Sequence, residues 1–126
     1  MGNDRVNQLR RYCLALDLKD DADKIFAYKY HHKNVWPEIN QSLIDAGIDQ
    51  AEIFNTGNRL FMILEVNESF TFDRKSMMDA QNPKVQEWEA LMDTFQQELP
   101  KTKKGTKWVL MDKIYSLKKE KYEIRN

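Results

Sequence analysis

The chain has 126 residues, one cysteine, and 20 basic against 20 acidic side chains. At 41% hydrophobic and 32% charged it is too apolar for a disordered chain and suits one packed domain over 1–126, with 1–9 and 118–126 as loose tails or dimer arms. A single cysteine, Cys13, excludes a disulfide framework and a cysteine-rich zinc module.

The charge is uneven: residues 1–100 carry 11 basic and 17 acidic groups, and residues 101–126 carry 9 and 3. The basic end reads as a solvated final strand and tail, not as a nucleic-acid patch. No apolar stretch approaches the roughly 18–20 residues of a spanning helix, and Met1 to Val6 holds no apolar signal core. Without a secretory signal, the sequons at Asn40 and Asn67 carry no weight. The expectation is a cytoplasmic protein with a free thiol and with no membrane or nucleic-acid partner.

Residues 10–18 alternate, with Tyr12, Leu14, Leu16 and Leu18 on one face and Cys13, Ala15 and Asp17 on the other. This predicts a strand with a bulky face and a small-residue face. Asp20-Asp21-Ala22-Asp23 opens a helix, with Asp20 as the expected cap and the following Asp residues at the positive end of the dipole. That helix runs to about residue 32, with Ala22, Ile25, Phe26 and Tyr30 as its core stripe.

Pro37 suits the first position of a second helix through Ile39, Leu43 and Ile44, which stops at Gly47. Residues 51–55 and 59–66 read as a hairpin around Thr56-Gly57-Asn58. Asn82-Pro83 opens a further helix, where Val85, Trp88, Leu91, Met92 and Phe95 recur at helical spacing up to Pro100. A last strand is predicted over 107–115, with Trp108, Leu110 and Ile114 on one face and Val109, Met111 and Tyr115 on the other.

The order strand, helix, strand, strand, helix, strand is the split βαβ plan. It predicts an α+β, ferredoxin-like βαββαβ domain: a four-stranded antiparallel sheet with helices on one face. The other face is small or apolar, so a second copy closing sheet to sheet, as in a dimeric α+β barrel, is the simplest cover.

The chemistry-bearing residues concentrate in one segment. Tyr28 and His32 stand at i and i+4, so on a helix they face the same space, and Trp36-Pro37-Glu38 follows. An acid/base near neutrality, a phenol, an indole and a carboxylate are what a small polar ligand site needs. The plain alternative is a helix end whose histidine caps a carbonyl and whose tryptophan plugs the core. Adjacent His31 and His32 point about 100° apart on a helix, so no metal site is expected there. Cys13 and the methionines read as packing residues.

The Tyr-x-x-x-His-x-x-x-Trp-Pro-Glu run at residues 28–38 resembles the signature of the L-rhamnose mutarotase family. The resemblance extends from Arg11 to Leu117 through the Gly47 turn, Asn58-Arg59-Leu60-Phe61, and the Trp88 helix followed by Leu99-Pro100. It implies a ferredoxin-like fold that dimerises through its sheets and a 6-deoxy-L-hexose substrate, L-rhamnose or L-fucose. It also implies catalytic His32 and Tyr28 at the anomeric centre, and Trp88, with Trp36, as sugar-binding residues. Family members often carry two adjacent tryptophans where this chain has Trp88 and Glu89. Anomer exchange needs one acid and one base, without metal, redox cofactor or covalent intermediate. Two other readings remain open: a small oxygenase or haem-type enzyme on the same fold, with His as ligand, and a non-catalytic ligand-binding module.

Overall fold

The computed structural model describes residues 10–119. β1 (Arg10–Leu18) lies inside the sheet and pairs with β3 (Arg59–Val66) along its whole length, from Arg10 opposite Val66 to Asp17 opposite Arg59. β2 (Ile48–Thr56) hairpins onto β3 and forms one edge. Two short strands, β4 (Gln96–Gln97) and β5 (Val109–Leu110), pair with successive parts of the other side of β1. All pairings are antiparallel and the order is β2-β3-β1-β4, with β5 also on β1. This is the ferredoxin-like α+β plan expected from the element order.

Four helices pack on one face: α1 (Ala22–His31), α2 (Pro37–Asp45), α3 (Phe72–Ala80) and α4 (Pro83–Asp93). Asp21, not Asp20, caps α1, accepting hydrogen bonds from the amides of Asp23 at 2.9 Å and Lys24 at 3.1 Å. Asn82 caps α4 through the amides of Lys84 and Val85, and Pro83 takes the first helical position. After α2 the chain turns at Gly47, whose φ is +97°. A Cβ there would lie 2.5 Å from Ser69 Oγ, so both the backbone conformation and the space demand glycine.

Helix-side residues build two apolar clusters. One joins Leu18 and Leu60 of the sheet to Tyr28, Ile39, Val85, Trp88 and Met92. The second joins Leu14, Ile48, Leu64 and Val66 to Phe70. Burial of such a leucine contributes about 1.5–3 kcal/mol.

Three expectations need correction. On α1, Phe26 and Tyr30 face solvent, 69% and 62% exposed, while Tyr28 is the buried residue. The helix is therefore rotated to present its Tyr28 and His32 side inward. Helix α3 went unread because its sequence, FDRKSMMDA, buries no residue and so carries no core stripe. The last strand is also far shorter than 107–115: only Val109 and Leu110 pair, and Ile114, Tyr115 and Leu117 are 93%, 76% and 80% exposed. Their apolar alternation has no neighbouring strand among the described residues. Of the expected tails, 1–9 and 120–126 lie outside the described residues, and Lys118 and Lys119 are exposed.

The side of the sheet away from the helices presents Cys13 and Ala15 of β1, opposite Ile63 and Phe61 of β3, with Val109 beside Ala15 and Phe54 beside Phe61. Among the described residues no helix covers this side, and Phe54 is 52% exposed.

Candidate active site

A cavity of about 730 Å³ lies between the helices and the sheet. Its floor is Ala51, Ile53, Met62 and Leu64 of β2 and β3; its walls come from all four helices. Tyr28 and His32, one turn apart on the last turns of α1, both line it. Their rings lie 4.3 Å apart between centroids, as the i, i+4 spacing requires.

His32 Nδ1 is 2.8 Å from the Tyr28 carbonyl oxygen. A carbonyl only accepts, so Nδ1 carries the proton and donates it there. In the neutral ring Nε2 is then the free base. The plain alternative from sequence, a histidine capping a carbonyl, is thus also true, and it fixes the tautomer that an acid/base needs. Burial lowers the His32 pKa, against the opposing effect of the Tyr28 carbonyl and with a smaller push from His31. The imidazole is accordingly the neutral base at pH 7. Burial pushes the Tyr28 phenol up to about 12, partly offset by Gln96. Tyr28 is therefore a proton-bearing hydrogen-bond donor.

Trp88 is 8% exposed and stands edge-on to His32, 5.5 Å between centroids. It lines the cavity and also belongs to the core cluster, so its two expected roles coincide. Trp36, at the cap position of α2, is half-buried and packs edge-on against Trp88 at 5.0 Å, with Lys84 Nζ 5.4 Å from the centre of its ring. Trp36 is not among the residues that line the cavity; it lies against Trp88. His31 points elsewhere, beside Tyr30 and Phe95.

Sequence reasoning missed several cavity residues: Asn40, Lys75, Asp79, Gln96 and Trp108. Lys75 and Asp79 sit on the unread helix α3. Gln96 follows α4, where only the short pairing with β1 places it. No local pattern marks any of them. Among the described residues, no group of three or more His, Cys, Asp or Glu side chains is placed to hold a metal ion.

The chain is similar to known proteins. The chain is 43% identical over 111 residues to the L-fucose mutarotase of Xanthomonas campestris pv. campestris, covering 86% of this chain and 89% of that protein. The crystal structure of the L-rhamnose mutarotase from Formosa agariphila superposes with a TM-score of 0.64 at 24% identity, covering 86% of this chain and 99% of that one. The tetracenomycin F2 cyclase of Streptomyces glaucescens shares the fold at a TM-score of 0.57 and 15% identity, over 88% of this chain and 99% of that one. That cyclase is a polyketide enzyme, so fold alone does not choose the chemistry. The L-rhamnose mutarotase family matches residues 11–117. By that match and by the mutarotase relative, this chain belongs to the L-rhamnose mutarotase family.

Proposed function

We propose that this mutarotase interconverts the α and β anomers of a 6-deoxy-L-hexose, L-rhamnose or L-fucose, with His32 as the main acid/base and Tyr28 as its partner. The observation that carries the assignment is the Tyr28–His32 pair facing the cavity, with His32 held by its Nδ1 so that Nε2 is free. Family membership supports the reaction, and the cavity's mixture of apolar floor and polar walls supports a monosaccharide.

In this reading His32 Nε2 takes the proton of the anomeric hydroxyl. The electron pair of that O–H bond becomes the second bond of the aldehyde carbonyl, and the bond from C1 to the ring oxygen breaks with its pair going to the ring oxygen. The phenol of Tyr28 donates to the ring oxygen, which leaves as a hydroxyl. Rotation about C1–C2 presents the other aldehyde face. Reclosure reverses each transfer, so the net change is stereochemical. Each positioned proton-transfer group contributes about 10²- to 10⁴-fold. Trp88 offers an aromatic edge to the apolar face and methyl group of the sugar, and Trp36 buttresses Trp88.

The same proposal includes a homodimer, in which the apolar faces bearing Phe54, Phe61 and Ile63 meet, because a face without helices leaves that surface to water. It also places the reaction in the cytoplasm, in keeping with the free thiol of Cys13.

Saturation-transfer NMR on equilibrated L-rhamnose and L-fucose tests the activity. Exchange between anomer signals should accelerate in proportion to protein concentration for at least one sugar. Binding without faster exchange would instead identify a ligand-binding module.

A further inference from the structure

The cavity has a charged wall that the acid/base chemistry does not use. Lys75 and Asp79 of α3 and Glu89 of α4 all line it. Lys75 Nζ donates to Asp79 Oδ2 at 2.5 Å, and the two side chains are only 25% and 13% exposed. The same three residues also line a shallow hollow of about 340 Å³, so they stand between it and the main cavity.

Glu89 differs from Asp79. Among the described residues it forms no ion pair, and its one side-chain contact is a long hydrogen bond of 3.5 Å from Gln86 Nε2. A carboxylate has about four acceptor sites, so Glu89 has unspent acceptor capacity beside the cavity. Partial burial, then the charge of Asp79, raises its pKa above the ordinary carboxylate value. Glu89 is exposed, so its remaining acceptor sites face water, which a sugar hydroxyl would replace. Trp88, the preceding residue, offers an apolar edge, so the two together match a pyranose with carbon-bound hydrogens on one side and hydroxyls on its rim.

We propose that Glu89 and Asp79, with Lys75 fixing Asp79, form the wall that accepts hydrogen bonds from the sugar hydroxyls away from the anomeric carbon and thereby sets which of the two sugars is preferred. The inference rests on the mutarotase reading for its substrate class. L-rhamnose and L-fucose differ in configuration at C2 and C4, so a wall reading ring hydroxyls discriminates them. An acceptor placed to pair with a hydroxyl of one sugar, and left without that hydroxyl by the other, discriminates more strongly than an apolar pocket does. Glu89 and Asp79 are binding residues; Lys75 is a positioning residue acting through Asp79.

The test uses Glu89→Gln, Asp79→Asn, Lys75→Met and Lys75→Arg, with circular dichroism to establish folding and L-rhamnose and L-fucose as probes. Dissociation constants come from NMR titration, and KM and kcat from anomer exchange. Glu89→Gln and Asp79→Asn should each weaken the preferred sugar by about tenfold, the size of one charge-assisted hydrogen bond, with the loss in KM more than in kcat. They should also narrow the ratio of kcat/KM between the two sugars. Lys75→Met should raise KM, and Lys75→Arg should restore it. Folded Glu89 and Asp79 variants whose KM and sugar preference stay within about twofold of the unmodified protein overturn the wall. Absence of exchange by the unmodified protein overturns the mutarotase reading instead. The wall is then judged by titration, where an unchanged dissociation constant, or no binding of either sugar, overturns it.

Discussion

On the helix side of the sheet, Leu14, Leu16, Leu60 and Leu64 are all at most 6% exposed, and Leu60 and Leu64 line the cavity with Tyr28 and His32. On the opposite side of the same strands, Ala15, Phe61 and Ile63 are only half-buried and Phe54 is open to solvent. Strand alternation supplies both faces, yet among the described residues one is buried by helices and the other is not. The covered side can exclude water and shift the pKa values of buried groups, which is where proton-transfer chemistry is possible. The bare side has apolar area, and the ion pairs on it among the described residues, Asp17 with Arg59 and Arg11 with Glu65, each have an exposed arginine, so association is the use that fits it.

The largest expected effect tests whether chemistry is confined to the covered side. His32→Ala should lose roughly 10²- to 10⁴-fold in exchange rate, whereas His31→Ala, beside Tyr30 and Phe95, should stay within a few-fold. Anomer-exchange NMR on both folded variants decides, and equal losses would falsify the division of roles. Next in size, Phe61→Lys puts an ammonium in the middle of the bare side. Burying it unpaired between two sheets costs several kcal/mol, so light scattering should show a single-chain mass where the unmodified protein shows two. A single-chain mass for the unmodified protein at micromolar concentration removes the dimer.

Trp88 links core and cavity, so Trp88→Phe should act on both. Loss of its edge contacts with His32 and Trp36 should lower the melting temperature by a few degrees and raise KM several-fold. A melting change with unaltered kinetics confines Trp88 to packing. The smallest effect is in pH. Burial lowers the His32 pKa from its usual 6.5, so the acid limb of kcat/KM should have its midpoint below that value. The stability consequence has the same sign: the unfolded chain takes up this proton first as pH falls. The contribution of His32 is therefore complete above about 6.5 and is lost between there and the lower folded value. A midpoint above 6.5 would point to a different base.

Much of the fold was legible because its signals are local. Alternation in residues 10–18, proline at the first position of α2 and α4, and the Gly47 stop each constrain the backbone through neighbouring residues alone. The Tyr28–His32 pair was legible for the same reason, since helical spacing alone puts both side chains on one face. Helix α3 was not, because a solvated helix resting on a neighbour has no apolar period to read. Nor was the rotation of α1: Phe26 and Tyr30 make as good an apolar stripe as Tyr28 does, and only the sheet beneath decides which one is buried.

The sequence by itself thus determined the order of the elements apart from α3, the family motif and the placing of Tyr28 and His32 on one helix face, all properties of residues close along the chain. Tertiary structure decided which face of α1 turns inward, that Trp36 backs Trp88, and that Lys75, Asp79 and Glu89 share the cavity with His32. It also cut the last strand to Val109–Leu110. The physical reason is that burial and close approach between distant segments depend on packing across the sheet, and an apolar alternation reads alike whether its neighbour lies in the same chain or is missing from it.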